Sequence, residues 1–149
     1  MSHTTTIKAI KIQSITALRM AVEDLNARGT TCTLVENAKP RAYFEDQQGM
    51  GIAPYVLKLQ GASYDIGFYL NEDGSYEART DFFGGDIEKM LGAKAGDASR
   101  AEQARMGKLY QLYGVAAATE AARRKGHMVR RIENKETGEI KLEVTGNFA

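Results

Sequence analysis

Three aspartates in the middle of the chain are the best candidates for acid–base chemistry. Asp65, Asp81 and Asp86 lie in or near a predicted hairpin. Two such carboxyl groups can act as acid and base when their surroundings split their pKa values. Asp65 also stands at a strand start and Asp86 directly before a helix, where turns and helix caps commonly use aspartate. The three residues therefore suggest an aspartate-based site only weakly, and we assign no catalytic residue.

The sequence contains few residues that could support thiol or imidazole chemistry. The chain has one cysteine, Cys32, and two histidines, His3 and His127. A structural zinc site takes four Cys or His ligands, so we predict no metal site of this kind and no cofactor. Cys32 lies between two threonines in a predicted strand and is expected to be a small buried hydrophobe. His127 is expected to be exposed.

A cluster of positive charge lies late in the chain. Its members are Arg123, Arg124, Lys125, Arg130 and Arg131. Such clusters can bind nucleic-acid phosphates by releasing counterions. The first three also suit the last turn of a helix, where cations interact with the negative end of the dipole. Nucleic-acid binding through this segment is therefore an alternative function rather than the leading one.

Two long helices must position these residues. Ile15, Leu18, Val22 and Leu25 recur at helical spacing behind a possible N-cap at Ser14, which predicts a helix over residues 14–28. A second helix is predicted over residues 97–125, with an N-cap at position 97 or 99. Its apolar face includes Tyr110 and Tyr113, which we expect in the core rather than at a stacking surface.

The rest of the chain alternates as strands do. Residues 5–13, 31–36, 54–60, 64–70 and 75–82 are predicted strands, and Gly74 can take the positive φ of the tight turn between the last two. Residues 127–134 and 140–145 form a final predicted hairpin. Residues 41–45 are a possible further strand, and 87–91 a short helix. The prediction is an α+β fold, with an antiparallel or mixed sheet of about six to seven strands covered by two main helices.

Composition restricts the class of protein further. The 149 residues are 43% hydrophobic and 26% charged with a net charge of +1, which is typical of a globular domain. We predict a single domain over residues 1–149. A lone cysteine, the absence of a long apolar run and an N-terminus without signal-peptide features favour a cytoplasmic protein with no membrane association.

Several short motifs together resemble a known family. They are the start MSH, the segments YDIGF at 64–68 and DGSYE at 73–77 with Asp81 shortly after, and AARRKG at 121–126 before the final hairpin. The chain resembles a conserved hypothetical family from plastids, cyanobacteria, other bacteria and large phages, which includes the product of hypothetical chloroplast open reading frame thirty-five. It departs from that pattern at Phe82 and Phe83, where the family often has tryptophans, and in a longer segment 84–105.

The resemblance implies no established activity and favours a small intracellular protein that works beside others. We therefore expect a non-catalytic interaction or accessory protein with a protein partner or a homo-oligomeric state. The nucleic-acid-binding and aspartate-based enzyme hypotheses are the alternatives.

Overall fold

The computed structural model describes residues 4–42, 51–81, 85–92 and 106–146, and for residues 4–10 the backbone alone. Seven strands are present in this part of the chain. They are β1 (Thr4–Ile12), β2 (Cys32–Ala38), β3 (Ala53–Leu59), β4 (Ile66–Leu70), β5 (Tyr76–Asp81), β6 (Met128–Glu133) and β7 (Ile140–Thr145). The helices are α1 (Ile15–Ala27), α2 (Asp86–Leu91) and α3 (Gly107–Arg124). The predicted α+β class is confirmed.

The strands form two separate sheets. Five of them form one antiparallel sheet in the order β1-β5-β4-β3-β2, while β6 and β7 pair only with each other. Strands β2 to β5 pair antiparallel with their neighbours in the sequence, and β1 pairs antiparallel with β5 at the edge of the sheet. The final hairpin is thus not part of the main sheet, and we call β6, β7 and their turn the ribbon. The possible strand at 41–45 falls mostly outside the described residues, and Arg41 and Ala42 are not in a strand.

Helix α1 begins where its cap was predicted. The Ser14 hydroxyl accepts a hydrogen bond from the Ala17 amide at 3.0 Å and donates one to a Glu120 carboxylate oxygen at 2.7 Å. The Tyr113 hydroxyl of α3 accepts from the amides of Gln13 and Ser14, at 2.8 and 3.1 Å. The junction between β1 and α1 is therefore completed by side chains from the far end of the chain.

Helix α3 packs its tyrosine face into the core, as predicted. Tyr110 and Tyr113 are both buried beside Leu109 and Leu112. The predicted helix start at 97 or 99 lies outside the described residues, and the observed helix begins at Gly107. Gly114 is exposed, and a Cβ added there would have no heavy atom within 4 Å. Close packing therefore does not explain this glycine.

One face of the five-stranded sheet packs against α1 and α3. Leu57, Ile66 and Phe68 lie on that face and have no measurable exposure, in contact with the apolar sides of the helices. The β4–β5 turn contains Gly74 at φ +86, the left-handed conformation predicted for it. None of the described helices has the length and apolar character needed to cross a bilayer.

Candidate functional site

The ribbon has two chemically different faces. Side chains alternate along a strand and cross-strand partners share a face, so the register assigns each residue to one side. The inner face, which contacts the helices, is formed by Val129, Arg131, Glu133, Ile140, Leu142 and Val144. The outer face is formed by Met128, Arg130, Ile132, Lys141, Glu143 and Thr145.

Ion pairs fasten the inner face to α1. The Arg28 guanidinium donates from Nη1 and Nη2 to the two Glu133 carboxylate oxygens at 2.7 and 2.6 Å, and from Nε to Asp24 at 3.0 Å. Arg131 Nη1 lies 2.8 Å from the second oxygen of Asp24. The two cations and two anions alternate, so each charge has an opposite neighbour. The hydrogen bond from Arg28 lowers the pKa of Glu133, and the same bond raises the pKa of Arg28.

A side-chain hydrogen bond fixes the turn of the ribbon as well. Gln111 in α3 donates from its amide nitrogen to the Gly138 carbonyl at 2.8 Å. The ribbon is therefore held at two places: strand β6 on α1 and the turn on α3. These contacts fix the orientation of the outer face, and none of them involves an outer-face side chain.

The outer face carries apolar surface that the rest of the molecule does not cover. Met128 is 76% exposed and Ile132 is 41% exposed. Arg130 pairs across the strands with Glu143 at 2.6 Å, and Lys141 is 72% exposed. Of the five large hydrophobic side chains that are exposed in the described residues, two lie on the outer face, and a third, Val144, lies on the inner face. Clustered exposed apolar groups among charges are typical of an interaction surface.

The five predicted basic residues do not form one continuous surface. Arg130 lies on the outer face and Arg131 on the inner face, where it is paired with Asp24. Arg124 lies 3.5 Å from Glu120 one helical turn earlier. Arg123 and Lys125 are exposed at the end of α3, and in the described part of the chain neither makes an ion pair.

Asp65 is the most firmly held of the three aspartates. It is fully buried, and its carboxylate accepts from the Arg41 backbone amide at 2.8 Å and from the Arg41 Nε and Nη2 at 2.9 to 3.2 Å. Lys58 Nζ lies 3.3 Å away. Burial alone would raise the pKa of Asp65, but the hydrogen bonds and charges of Arg41 and Lys58 outweigh it, so that pKa lies below its ordinary value. Asp65 is thus kept ionised with both oxygens occupied.

The other two aspartates lie at the same end of the sheet. Asp81 is fully buried at the end of β5, next to Thr80, whose hydroxyl donates to the Asp65 carbonyl at 2.9 Å. Asp86 is the first residue of α2 and accepts from the Ser63 amide at 3.1 Å. The fold therefore brings the neighbourhoods of all three together, and each of the three has an interaction partner.

The cysteine and histidine predictions can be placed as well. Cys32 is buried, as predicted, and burial raises the pKa of its thiol, which disfavours the reactive thiolate. His127 is half-buried rather than exposed, and it has an interaction partner. Within the described ranges no group of three or more metal-ligating side chains comes together. His3 lies outside them.

The residues that build the ribbon's attachment were not identified from the sequence. Arg28 and Glu133 are 105 positions apart, and neither stands in a recognisable motif. The only available signal was the alternation of the final hairpin, which places Arg131 and Glu133 on one side. Arg41 was likewise missed, because its partner Asp65 is 24 positions away, on the far side of β3 in the sequence.

A family model described as "Protein of unknown function (DUF1257)" matches residues 32–143. The match begins at β2 and extends into β7, so it includes the ribbon. It confirms the predicted membership of a conserved family without an assigned activity. The searches of curated proteins and of solved structures found no match.

Proposed function

The chain belongs to the DUF1257 family of proteins of unknown function, and we propose that it is a non-catalytic interaction module that binds another protein through the outer face of the ribbon. The observation that carries the proposal is the exposure of Met128 and Ile132 on a ribbon whose other face is anchored by ion pairs. Because the ribbon is ordered before a partner arrives, little conformational entropy is lost on binding.

The charges around the outer face favour an acidic partner. Arg130 pairs with Glu143 at 2.6 Å and Lys141 lies 3.7 Å from Glu139, but the segment 121–145 as a whole contains seven Lys or Arg residues against four Glu, a net charge of +3. Two copies of this segment would bring net positive charge together, which disfavours a homodimer through it. A partner with an apolar centre and an acidic rim would be complementary.

Capture from a lysate of the native host tests this proposal. Tagged wild-type protein is compared with Met128→Glu, Ile132→Glu and a control, Leu70→Glu, whose side chain is 59% exposed at the end of β4. The expected result is one protein captured by the wild type and the control, with or without nuclease, and lost from both ribbon variants. Purified with the partner, each ribbon variant should bind at least about tenfold more weakly, because a charge replaces a central apolar contact.

Equal capture by the ribbon variants and the Leu70 control would contradict the proposal, since the outer face would then not be the contact. Far-UV circular dichroism of each variant shows whether the fold is retained. Capture that disappears after nuclease treatment would favour the second candidate instead.

Nucleic-acid binding is that second candidate, supported by the exposure of Arg123 and Lys125 at the end of α3 near the basic ribbon. Binding to DNA or RNA should then weaken steeply with salt. Arg123→Glu and Lys125→Glu should reduce both affinity and salt dependence, and Arg131→Glu should act mainly by disturbing the contact with Asp24. Absence of binding at low salt would exclude this candidate.

An aspartate-based enzyme is the third candidate, and the weakest. It would need at least one carboxylate open to a substrate, whereas the Asp65 oxygens already accept from Arg41 and Lys58. Hydrolase assays of the wild type against Asp81→Asn would test it, and equal rates would remove Asp81 from consideration.

A further inference from the structure

A polar pocket lies where β2 begins and β3 ends, on a different part of the molecule from the ribbon. Its volume is about 320 Å³. The polar side chains at its walls are Thr31, Thr33, Arg41, Lys58 and Gln60. Among the described residues that line the pocket there is no acidic side chain, although Asp65 lies directly behind Arg41 and Lys58. A volume near the lower end of the range for ligand sites fits a small metabolite rather than a polymer.

The buried Asp65 positions the two cations of this pocket. It receives Nε and Nη2 of Arg41, and Nη2 also donates to the Ala62 carbonyl at 3.0 Å. The Nη1 group of Arg41 donates to nothing in the described part of the chain, and Lys58 uses its ammonium only for the 3.3 Å contact with Asp65. Both side chains remain close to half exposed, 48% for Arg41 and 42% for Lys58.

Counting the described residues alone, the charge balance of the cluster leaves one positive charge uncompensated. Arg41 and Lys58 share the single carboxylate of Asp65. Thr33 is the cross-strand partner of Lys58 and shares its side of the sheet, so a hydroxyl donor stands beside the ammonium. A guanidinium fork, an ammonium and a hydroxyl around one cavity match the oxygens of a phosphate or a carboxylate.

We propose that this pocket binds the oxyanion group of a small metabolite, with Lys58 and Arg41 as its cationic ligands and Thr33 as a hydroxyl donor. The proposal does not depend on the outer face of the ribbon or on a protein partner. It assigns Asp65 a role as a positioning residue, because this carboxylate orients both cations without reaching the ligand itself.

Calorimetric titration of the full chain with inorganic phosphate, and separately with succinate, tests the proposal at constant ionic strength. Wild-type protein should bind at least one of the two anions saturably, and the tighter of them identifies the phosphate or carboxylate class. Lys58→Met should weaken that binding by about tenfold or more, because a charge-assisted hydrogen bond is lost. Thr33→Val should weaken it severalfold. The control, Lys141→Met, removes a more exposed lysine from the ribbon, 72% exposed against 42% for Lys58, and should leave binding unchanged.

Absence of saturable binding of both anions to the wild type would overturn the proposal without reference to any variant. Binding that is equal in Lys58→Met, Thr33→Val and Lys141→Met would also overturn it, because the anion would then sit elsewhere. If circular dichroism shows that Lys58→Met does not fold, the titrations of the wild type and of the nearly isosteric Thr33→Val still test whether the anion binds in this pocket.

Discussion

The five-stranded sheet and the ribbon are both antiparallel, yet different forces hold them. Strands β3 to β5 place Leu57, Ile66 and Phe68 in a core without measurable exposure. The ribbon is held to α1 and α3 by the Arg28–Glu133 pair, the Arg131–Asp24 pair and the Gln111 bond to its turn, in addition to the half-buried Ile140, which packs against the core. Apolar burial supports the scaffold, and directional polar contacts orient the ribbon. A segment held in that way can display apolar side chains outward without destabilising the core.

The largest expected effect on stability comes from truncating a buried side chain of the main sheet, compared with an exposed one of the ribbon. Phe68→Ala should lower the free energy of unfolding by about 3–5 kcal/mol, because it leaves a cavity in the core. Ile132→Ala on the outer face should cost less than about 1 kcal/mol. Urea unfolding followed by circular dichroism measures both. Similar losses for the two variants would mean that the ribbon is part of the core after all.

The buried charge cluster should contribute nearly as much as a core side chain. Asp65→Asn should cost about 2–4 kcal/mol at pH 7, since Arg41 and Lys58 lose their shared carboxylate. The folded-state pKa of Asp65 lies below its ordinary value of 3.8, so its contribution is complete above that pH and is lost as the pH falls through the folded value. The difference in unfolding free energy between wild type and variant should therefore stay constant from pH 7 down to about pH 4 and shrink only at lower pH. A difference that stays unchanged below that range, down to acid pH where Asp65 is protonated, would show that the ionised form is not what stabilises.

The ribbon's ion pairs should have a smaller and local effect. Glu133→Gln removes the negative charge and one of the two oxygens that accept from Arg28, and should cost about 1–2 kcal/mol. Amide hydrogen exchange should speed up in β6 and β7 but not in β3 to β5, because local opening need not disturb the core. High salt should produce a milder version of the same pattern in the wild type. Uniformly faster exchange over both sheets would contradict the separation between them.

The smallest expected effect is a gain in stability on substituting Gly114. It lies inside α3, is exposed, and has open space where a Cβ would be. Gly114→Ala should raise the free energy of unfolding by up to about 1 kcal/mol, because alanine loses less backbone entropy in a helix. Thermal unfolding measures it, with Phe68→Ala as a reference in the opposite direction. Destabilisation would mean that residues near α3 require this glycine.

Local patterns predicted most of the elements. Ser14 at the start of α1 and Gly74 in the β4–β5 turn are determined by capping and turn conformation within a few residues, and both were found as expected. Alternation predicted strands β6 and β7, but the prediction included them in one sheet with the others. The two-residue period shows that a segment is a strand and does not show which strands it pairs with. Cys32 in the core followed from its residue type and strand context.

The candidate sites were harder to predict, because their geometry depends on long-range contacts. Asp65 was singled out as a possible acid or base, but its partner Arg41 could not be chosen from the many basic residues before it. Arg130 and Arg131 looked equivalent in the sequence, and only the docking of the ribbon on α1 distinguishes the exposed residue from the paired one. The functional proposals for both sites remain predictions.

The Tyr113 hydroxyl that accepts from Gln13 and Ser14 affects how the chain acquires its structure during synthesis. A ribosome releases α1 first, but the hydrogen-bond partners of its entry turn, Tyr113 and Glu120, emerge about a hundred residues later. At roughly 5–20 residues per second, the nascent helix waits several seconds or more with its tertiary support incomplete. Its apolar side is exposed during that interval, so the amino-terminal half of the chain is most prone to aggregation before α3 has been made.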